Sequence, residues 1–208
     1  MRLIKNLMMT TIYKDENISA QKKLLRREMN TRLANLSVEE RVNLSRAVVE
    51  KFLAHPIYQN SKVIMAYLST SEEIQLQEFL LIALADKKIL AVPFIEGREM
   101  YAAMLPSLNE LEVGAYGILT VKSDCRKIID AAKIDGVITP GLAFDVHGGR
   151  LGKGGGFYDK FLSRAINAKK VALAYDFQIV DEVPMEPHDL TVDFFITPTK
   201  NFLIRLTN

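Results

Sequence analysis

The residue types best suited to chemistry lie in one glycine-rich stretch that runs from position 140 to position 159. Six of the chain's 11 glycines fall between positions 148 and 156, after an apolar run and before a segment with helical periodicity. Such glycines let consecutive backbone N–H groups turn toward an anion without a Cβ in the way. Arg150 and Lys153 add two positive charges, and Asp159 follows one helical turn later. The stretch therefore predicts a phosphate site, in which a following helix N-terminus would help and Asp159 could hold a magnesium ion.

Two common phosphate-binding templates do not fit this stretch. A P-loop needs Ser or Thr after its Lys, whereas Lys153 is followed by Gly154, and a dinucleotide fingerprint needs a third Gly where this chain has Phe157. A flexible surface loop remains the alternative, but ordering six glycines without a ligand would cost considerable entropy. We therefore interpret the stretch as a nucleotide-binding loop of another kind.

Apolar runs and helical segments alternate from position 62 onward and would position this loop. The runs are VIMAYL, ILAVPFI, GVITPGLAF and KKVALAYDF, and the helical segments include LQEFLLIALADK and YDKFLSRAIN. This alternation predicts a single α/β domain, with a mostly parallel open sheet and helices on both faces. Ligands of such sheets bind beyond the carboxyl ends of the strands, where the glycine-rich stretch would lie. MYAAML and LEVGAYGIL break the pattern and are either an antiparallel edge addition or an irregular excursion.

Two helices are predicted before the sheet. Ser19 can cap a helix through AQKKLLRREMNTRLANL, and Ser37 with Glu40 forms a capping box for a second helix that ends at His55-Pro56. Residues 1–18 are expected to form a flexible N-terminal arm. Residues 19–208 are expected to form the one domain, because no linker or composition shift marks a second.

Composition limits the class of protein. The chain has 208 residues, of which 49% are hydrophobic and 25% charged, which excludes a disordered, collagen-like or coiled-coil protein. A net charge of +2 is too small for a general nucleic-acid surface. One Cys and three His offer no Cys/His metal cluster, and a single Cys suits the reducing cytoplasm. The apolar runs are too short for a signal peptide or a membrane span, so we expect a cytoplasmic protein without nucleic-acid or membrane partners.

The motif PGLAFD-x-x-G-x-RLG-x-GGGFYD-x-FL resembles the signature of the 5-formyltetrahydrofolate cyclo-ligase family, also called methenyltetrahydrofolate synthetases. Its Arg-Leu-Gly, glycine run, aromatic pair and Asp occur in order without a gap. The resemblance extends from the K-x-x-L-R pattern at residues 22–26, through Glu72-Glu73-Ile74, to His188-Asp189 and Val192-Asp193. It implies a fold similar to the ribose-phosphate isomerase and coenzyme A transferase group.

The resemblance also implies roles for individual residues. ATP would contact the residues Lys22, Lys23, Leu24, Leu25, Arg26, Arg150, Leu151, Gly152, Lys153, Gly154, Gly155, Gly156, Phe157 and Tyr158. The folate would contact Leu68, Glu73, Lys153, Gly154, Gly155, Gly156 and Phe157. Mg²⁺ would be held by Asp159 and Asp189, with Asp193 a weaker candidate, and Arg150 and Lys153 would be catalytic. Glu72 is a rival for the role of Glu73, the basic residues of the first helix could be a solvated face, and Tyr158 could equally be a core residue.

The reaction implied by the resemblance is an ATP-dependent cyclisation. The formyl oxygen of 5-formyltetrahydrofolate would attack the γ-phosphate, and N10 would then close on the activated carbon, giving 5,10-methenyltetrahydrofolate, ADP and phosphate. A non-catalytic folate- or nucleotide-binding homologue is one alternative, and an enzyme of the same fold acting on a sugar phosphate is another. We further expect a monomer, and we expect Arg150 to be an exposed loop residue whose loss would cost activity far more than stability.

Overall fold

The computed structural model describes residues 2–114, 117 and 119–203, with side chains described from residue 18 onward. Within these residues the α-helices are α1 (Arg2–Ala34), α2 (Val38–Leu53), α3 (Pro56–Asn60), α4 (Gln77–Ala85) and α5 (Phe157–Leu162). The strands are β1 (Val63–Met65), β2 (Ile89–Glu96), β3 (Glu99–Met104), β4 (Leu111–Val113), β5 (Leu119–Val121), β6 (Ile128–Ile129), β7 (Gly136–Ile138), β8 (Ala143–Phe144), β9 (Arg150–Leu151), β10 (Lys169–Leu173), β11 (Phe194–Ile196) and β12 (Asn201–Leu203).

One eight-stranded sheet organises the chain, in the order β12-β11-β10-β7-β1-β2-β3-β6. The five strands from β11 to β2 are parallel, and β12, β3 and β6 are antiparallel at the two edges. The predicted mostly parallel sheet is thus confirmed. The MYAAML segment is an antiparallel addition, since β3 pairs with β2 along its whole length. LEVGAYGIL contributes to a separate β4–β5 hairpin, whose residues 115, 116 and 118 lie outside the described part.

Helices cover both faces of the sheet. On one face, α1, α2 and α4 bury Met29, Phe52 and Phe79 in the larger apolar cluster, which includes Ile64 of β1. On the other face, α5 buries Phe161 in a second cluster with residues of β1, β2 and β7. Neighbouring residues of a strand point to opposite faces, so the central strands β1, β2 and β7 contribute to both clusters. Burying each phenylalanine stabilises the fold by about 2–3 kcal/mol, and truncating Phe79 to Ala would cost about 3–5 kcal/mol.

The beginnings of the first two helices show one confirmed and one wrong prediction. The capping box of α2 is present, because Glu40 N donates to Ser37 Oγ and Ser37 N donates to the Glu40 carboxylate. The predicted cap at Ser19 is wrong, because α1 begins at Arg2 and runs through Ser19. The preceding residues contain no Gly or Pro to interrupt a helix. An arm over residues 1–18 stays a prediction, and most of its side chains lie outside the described part. No described helix has the length and apolar character that crossing a membrane requires.

The strand order creates a crevice beside β1. From β1 the chain continues to β2 on one side, and it later returns to β7 on the other side of β1. The connections that leave the carboxyl ends of β1 and β7 therefore diverge, which is the usual location of a ligand site in an open α/β sheet. The segment after β1 contains Glu73, and the segment after β7 contains the glycine-rich stretch. The fold thus brings two of the predicted site segments to one crevice.

Candidate active site

The glycine-rich stretch begins with a rigid turn built on Asp145. Asp145 is only 2% exposed, and its carboxylate accepts hydrogen bonds from the N–H groups of His147 (2.8 Å), Gly149 (2.9 Å) and Val183 (2.8 Å). A Cβ at Gly149 would lie 2.3 Å from Asp145 Oδ2, so this close approach requires glycine. The turn leads directly into β9 and thereby fixes the position of Arg150.

The second half of the stretch is exposed and crosses over α1. Gly154 and Gly156 have φ of +103° and +66°, backbone conformations that side-chain-bearing residues rarely adopt. Arg26 Nε donates to Gly152 O at 2.9 Å, and the Arg26 guanidinium lies beside Gly154. The structure therefore places Arg26 next to the glycines, and contact of both with ATP stays a prediction.

Arg150 is held below the exposed loop. It is 5% exposed, and its Nη2 donates to Asp159 Oδ1 at 2.6 Å, while Nη1 donates to Pro140 O at 3.3 Å. Asp159 Oδ1 also accepts from Leu190 N at 3.1 Å. The expectation of an exposed Arg150 is wrong, because the residue belongs to β9 beneath the loop. Within the described part, Arg150 Nε and the hydroxyl of Tyr158 are buried without a hydrogen-bond partner, and both are donors that a ligand could satisfy.

Lys22 is a buried ion-pair partner and not part of a solvated face. It is 6% exposed and donates to Glu186 Oε2 and Asp189 Oδ2, each at 2.5 Å. Burial opposes its charged form, but these two carboxylates outweigh it and raise the pKa of Lys22. Lys23 and Leu24 are exposed, Leu24 by 67%, and Leu25 is half-buried. Contact of these three residues with ATP stays a prediction.

Glu73 faces the glycine-rich loop across the crevice. Its Oε2 accepts from the N–H (2.9 Å) and hydroxyl (3.0 Å) of Thr70, and its Oε1 lies 2.8 Å from Lys153 Nζ. The rival Glu72 is exposed, so the structure favours Glu73. Leu68, near the start of the same segment, is buried in the larger apolar cluster.

A small cleft opens beside Glu73 and is also lined by Tyr67, Pro140 and Gln178. Gln178 braces the opposite wall by donating to Gly141 O and Leu142 O. Burial, and then the charge of Glu73, raise the pKa of Tyr67 and also that of Tyr158. Both phenols therefore stay protonated at neutral pH and can serve as hydrogen-bond donors.

Carboxylates that could hold a magnesium ion lie at one side of the site. Ligand atoms of Glu186, His188 and Asp189 lie within 4.8 Å of one another, and Asp159 adjoins them through its bond to Leu190 N. Oxygen atoms are the ligands that Mg²⁺ prefers, so the carboxylates of this group fit that ion, whereas the His188 imidazole does not. Asp193 instead accepts from Lys170 N at 2.7 Å and bridges β10 and β11, which gives it a structural role.

Opposite charges balance within the site. Its basic residues are Lys22, Arg26, Arg150 and Lys153, and its acidic residues are Glu73, Asp159, Glu186 and Asp189. Three of these cations are held by carboxylates and the fourth by a carbonyl oxygen. A phosphate group would therefore compete with carboxylates for cations that are already gathered in one place.

Three contributors were missed by sequence reasoning. Glu186 carries no signal except its place three residues before Asp189. Thr70 stands three residues before Glu73, at the spacing of a capping box, and this spacing could have indicated the hydrogen bond from Thr70 N to the Glu73 carboxylate. Asp145 ends the PGLAFD segment of the motif, yet its role as the acceptor of three backbone N–H groups follows only from the fold.

Sequence comparisons relate the chain to one family of known proteins. The model of the 5-formyltetrahydrofolate cyclo-ligase family matches residues 18–198. The 5-formyltetrahydrofolate cyclo-ligase of Mus musculus is 31% identical over 188 residues, which cover 85% of this chain and 93% of the mouse protein. The protein of the same name from Escherichia coli K12 is 28% identical, over 79% of this chain and 93% of the relative.

Solved structures extend the likeness to three dimensions. The NMR structure of the Aquifex aeolicus 5,10-methenyltetrahydrofolate synthetase has a TM-score of 0.81 and 33% identity, and the match covers 88% of this chain and 93% of that one. A 5,10-methenyltetrahydrofolate synthetase from Mycoplasma pneumoniae, 21% identical with a TM-score of 0.69 over 85% of this chain and 98% of that one, shares the fold. With the family model matched across nearly the whole α/β domain, the chain belongs to the 5-formyltetrahydrofolate cyclo-ligase family.

Proposed function

We propose that the chain catalyses the ATP-dependent conversion of 5-formyltetrahydrofolate to 5,10-methenyltetrahydrofolate, with release of ADP and phosphate. The observation that carries this proposal is the 2.8 Å contact between Glu73 Oε1 and Lys153 Nζ. It joins the carboxylate assigned to the folate with the loop assigned to the nucleotide. A formyl group held near Glu73 would therefore lie close to phosphates held by the loop.

Nucleotide binding would draw on the basic residues around the glycines. Lys22, Arg26 and Lys153 would bind the phosphates, together with the backbone N–H groups of residues 152–156. Phosphate oxygens would replace the carboxylate and carbonyl partners that these side chains have in the structure. Magnesium, held by Asp159 and Asp189, would neutralise part of the phosphate charge. Arg150, fixed by Asp159, would remain below the loop as a preorganised donor.

The chemistry would consist of a phosphoryl transfer followed by ring closure. The formyl oxygen attacks the γ-phosphorus, the bond to the bridging oxygen breaks, and ADP leaves. N10 then attacks the activated formyl carbon and loses its proton, and inorganic phosphate departs with the former formyl oxygen and can carry that proton away. No protein nucleophile takes part, so the side chains contribute by positioning the reactants and stabilising charge.

The near-ultraviolet absorbance of the product tests the proposal. Purified protein mixed with 5-formyltetrahydrofolate should develop the methenyl chromophore only when Mg-ATP is added. Glu73→Gln should raise the KM for the folate, whereas Glu72→Gln, the matched control at the exposed neighbour, should not. ATP binding without chromophore formation, with mono- and polyglutamate substrates alike, would instead identify a non-catalytic homologue. A monomeric state and a cytoplasmic location stay predictions, and a relative from Arabidopsis thaliana is named as mitochondrial.

A further inference from the structure

The two carboxylate oxygens of Glu73 have different surroundings. Oε2 accepts two hydrogen bonds, both from Thr70, through its N–H at 2.9 Å and its hydroxyl at 3.0 Å. A carboxylate oxygen has about two lone-pair sites, so Oε2 has little capacity left. Oε1 has Lys153 Nζ at 2.8 Å, which leaves it free to accept a further donor. The oxygen that can meet a ligand is therefore Oε1.

Thr70 is itself firmly held. Gln75 Nε2 donates to Thr70 O at 2.8 Å and to Glu73 O at 2.7 Å, which ties the two ends of the turn together. The hydroxyl of Tyr175 also donates to Glu73 O, at 3.2 Å. Ser69 closes the turn by donating to Ile74 O and accepting from Leu76 N. The backbone beneath Thr70 and Glu73 is thus fixed by several independent contacts.

The contact of Glu73 with Lys153 is of a different kind. The Lys153 side chain is 53% exposed and extends from the glycine-rich loop, and its distance to Thr70 Oγ1 is a long 3.4 Å. An ion pair with such an exposed lysine is weak, and the lysine can readily exchange one partner for another. Lys153 can therefore move to a phosphate group while Thr70 continues to hold Oε2.

We infer that Thr70 is a positioning residue, whose hydroxyl holds Oε2 of Glu73 so that Oε1 is presented to an N–H group of the pterin ring. The inference rests on the proposed function, because it takes Glu73 as the folate-binding carboxylate. The terminal torsion of a glutamate is broad, so a carboxylate that keeps only the contact with the Thr70 N–H would sample more orientations than one held by both donors. The substrate would then have to order the carboxylate on binding.

Replacing Thr70 by valine keeps the shape and removes the hydroxyl. Thr70→Val should raise the dissociation constant of 5-formyltetrahydrofolate, measured by calorimetry, and its KM about 3- to 10-fold, the loss expected for one hydrogen bond. The KM for ATP, the kcat at saturating folate and the melting temperature should stay unchanged. Thr70→Ser should restore the folate affinity. If Thr70→Val lowers the melting temperature, Thr70→Ala provides a second comparison, because alanine removes the hydroxyl and puts no methyl group in its place.

A double-mutant cycle separates positioning from a general structural effect. In a Glu73→Gln background, Thr70→Val should weaken folate binding no further, because the carboxylate that it orients is gone. Additive losses, or folate affinity equal to wild type in Thr70→Val, would overturn the role of Thr70. If the wild type binds the folate but forms no methenyl product, the proposed function is refuted but the role of Thr70 is not, because the cycle uses folate dissociation constants and needs no turnover. A wild type that does not bind the folate would refute both.

Discussion

The ammonium group of Lys22 lies 2.5 Å from a carboxylate oxygen of Asp189, although 167 residues separate them in the chain. Glu186 shares the same ammonium group. This ion pair joins the first helix to the last part of the site, so Lys22 has a structural role as well as its proposed role toward phosphates.

Lys22→Met should therefore reduce both stability and nucleotide binding. Removing Lys22 leaves the negative charges of Glu186 and Asp189 without their partner. Because Glu186 is partly exposed to water, we expect the free energy of unfolding to fall by only about 2 kcal/mol. The KM for ATP should rise as well. Lys23→Met, at the exposed neighbour, is the control and should change stability by less than about 0.5 kcal/mol. Urea denaturation and steady-state kinetics measure the two effects, and equal behaviour of the two variants would contradict the pairing.

The acid limb of the stability profile should depend on Asp189. Burial works to raise the pKa of Asp189, but hydrogen bonds from Glu186 N and Lys22, and the charge of Lys22, outweigh it and lower the pKa. Because the pKa of Asp189 is lower in the folded than in the unfolded protein, the ionised carboxylate stabilises the fold at pH values above its unfolded-state pKa of about 3.9. This stabilisation is lost as the pH falls through the folded-state pKa.

Denaturation between pH 6 and pH 2 would test this dependence. Asp189→Asn should flatten the decline in stability below about pH 4, where the wild type loses the contribution of this carboxylate. The exposed Asp181, changed to Asn, provides the control. Parallel curves for wild type and Asp189→Asn would show that the carboxylate contributes nothing to the acid transition.

Arg150→Ala should destabilise the protein and not only inactivate it. The side chain is buried and paired with Asp159 at 2.6 Å, so its removal leaves a carboxylate with one backbone donor in place of two partners. We expect a loss of about 3 kcal/mol, together with loss of activity. Thermal unfolding should show this drop for Arg150→Ala and none for Arg27→Ala on the exposed side of α1. An unchanged melting temperature would restore the expectation of a purely functional arginine.

Gly149→Ala should disrupt the turn that precedes Arg150. The new methyl group would lie 2.3 Å from Asp145 Oδ2, and that carboxylate cannot withdraw without breaking bonds to three N–H groups. We expect more than about 2 kcal/mol of destabilisation and weaker ATP binding. Gly97→Ala is the comparison, since its Cβ would meet nothing and only its φ of +61° opposes the change. A smaller effect at Gly149 than at Gly97 would show that the turn can rearrange.

The Cys125 thiol should react slowly in the folded protein. A hydrogen bond to Glu110, followed by burial and the effect of Asp124, raises the pKa of Cys125 to about 11. Because the thiolate is the reactive form, a colorimetric thiol reagent at pH 8 should modify the folded protein much more slowly than the protein in denaturant. Glu110→Gln should speed the reaction. Rates that are equal with and without denaturant would contradict the assigned environment.

The sequence was most informative where local patterns decide the structure. Alternating apolar runs predicted the sheet, and the capping box at Ser37 predicted the start of α2, because both depend on near neighbours. The burial of Arg150 and the pairing of Lys22 could not be predicted in this way. The pairing of Lys22 depends on Glu186, a distant residue without a distinctive local pattern. The motif around the β8–β9 hairpin is distinctive, but it does not show that the loop covers Arg150.

The hydrogen bond between Arg26 and Gly152 has a consequence for folding on the ribosome. The helix that carries Arg26 is synthesised first, whereas Gly152 lies 126 residues later and the Lys22 partners later still. Contacts between residues so far apart in sequence form late, because the entropy of the intervening chain must be lost before such a contact can stabilise the fold. The nucleotide site can therefore be completed only when nearly the whole chain has emerged, and a nascent chain that ends before residue 186 should lack it.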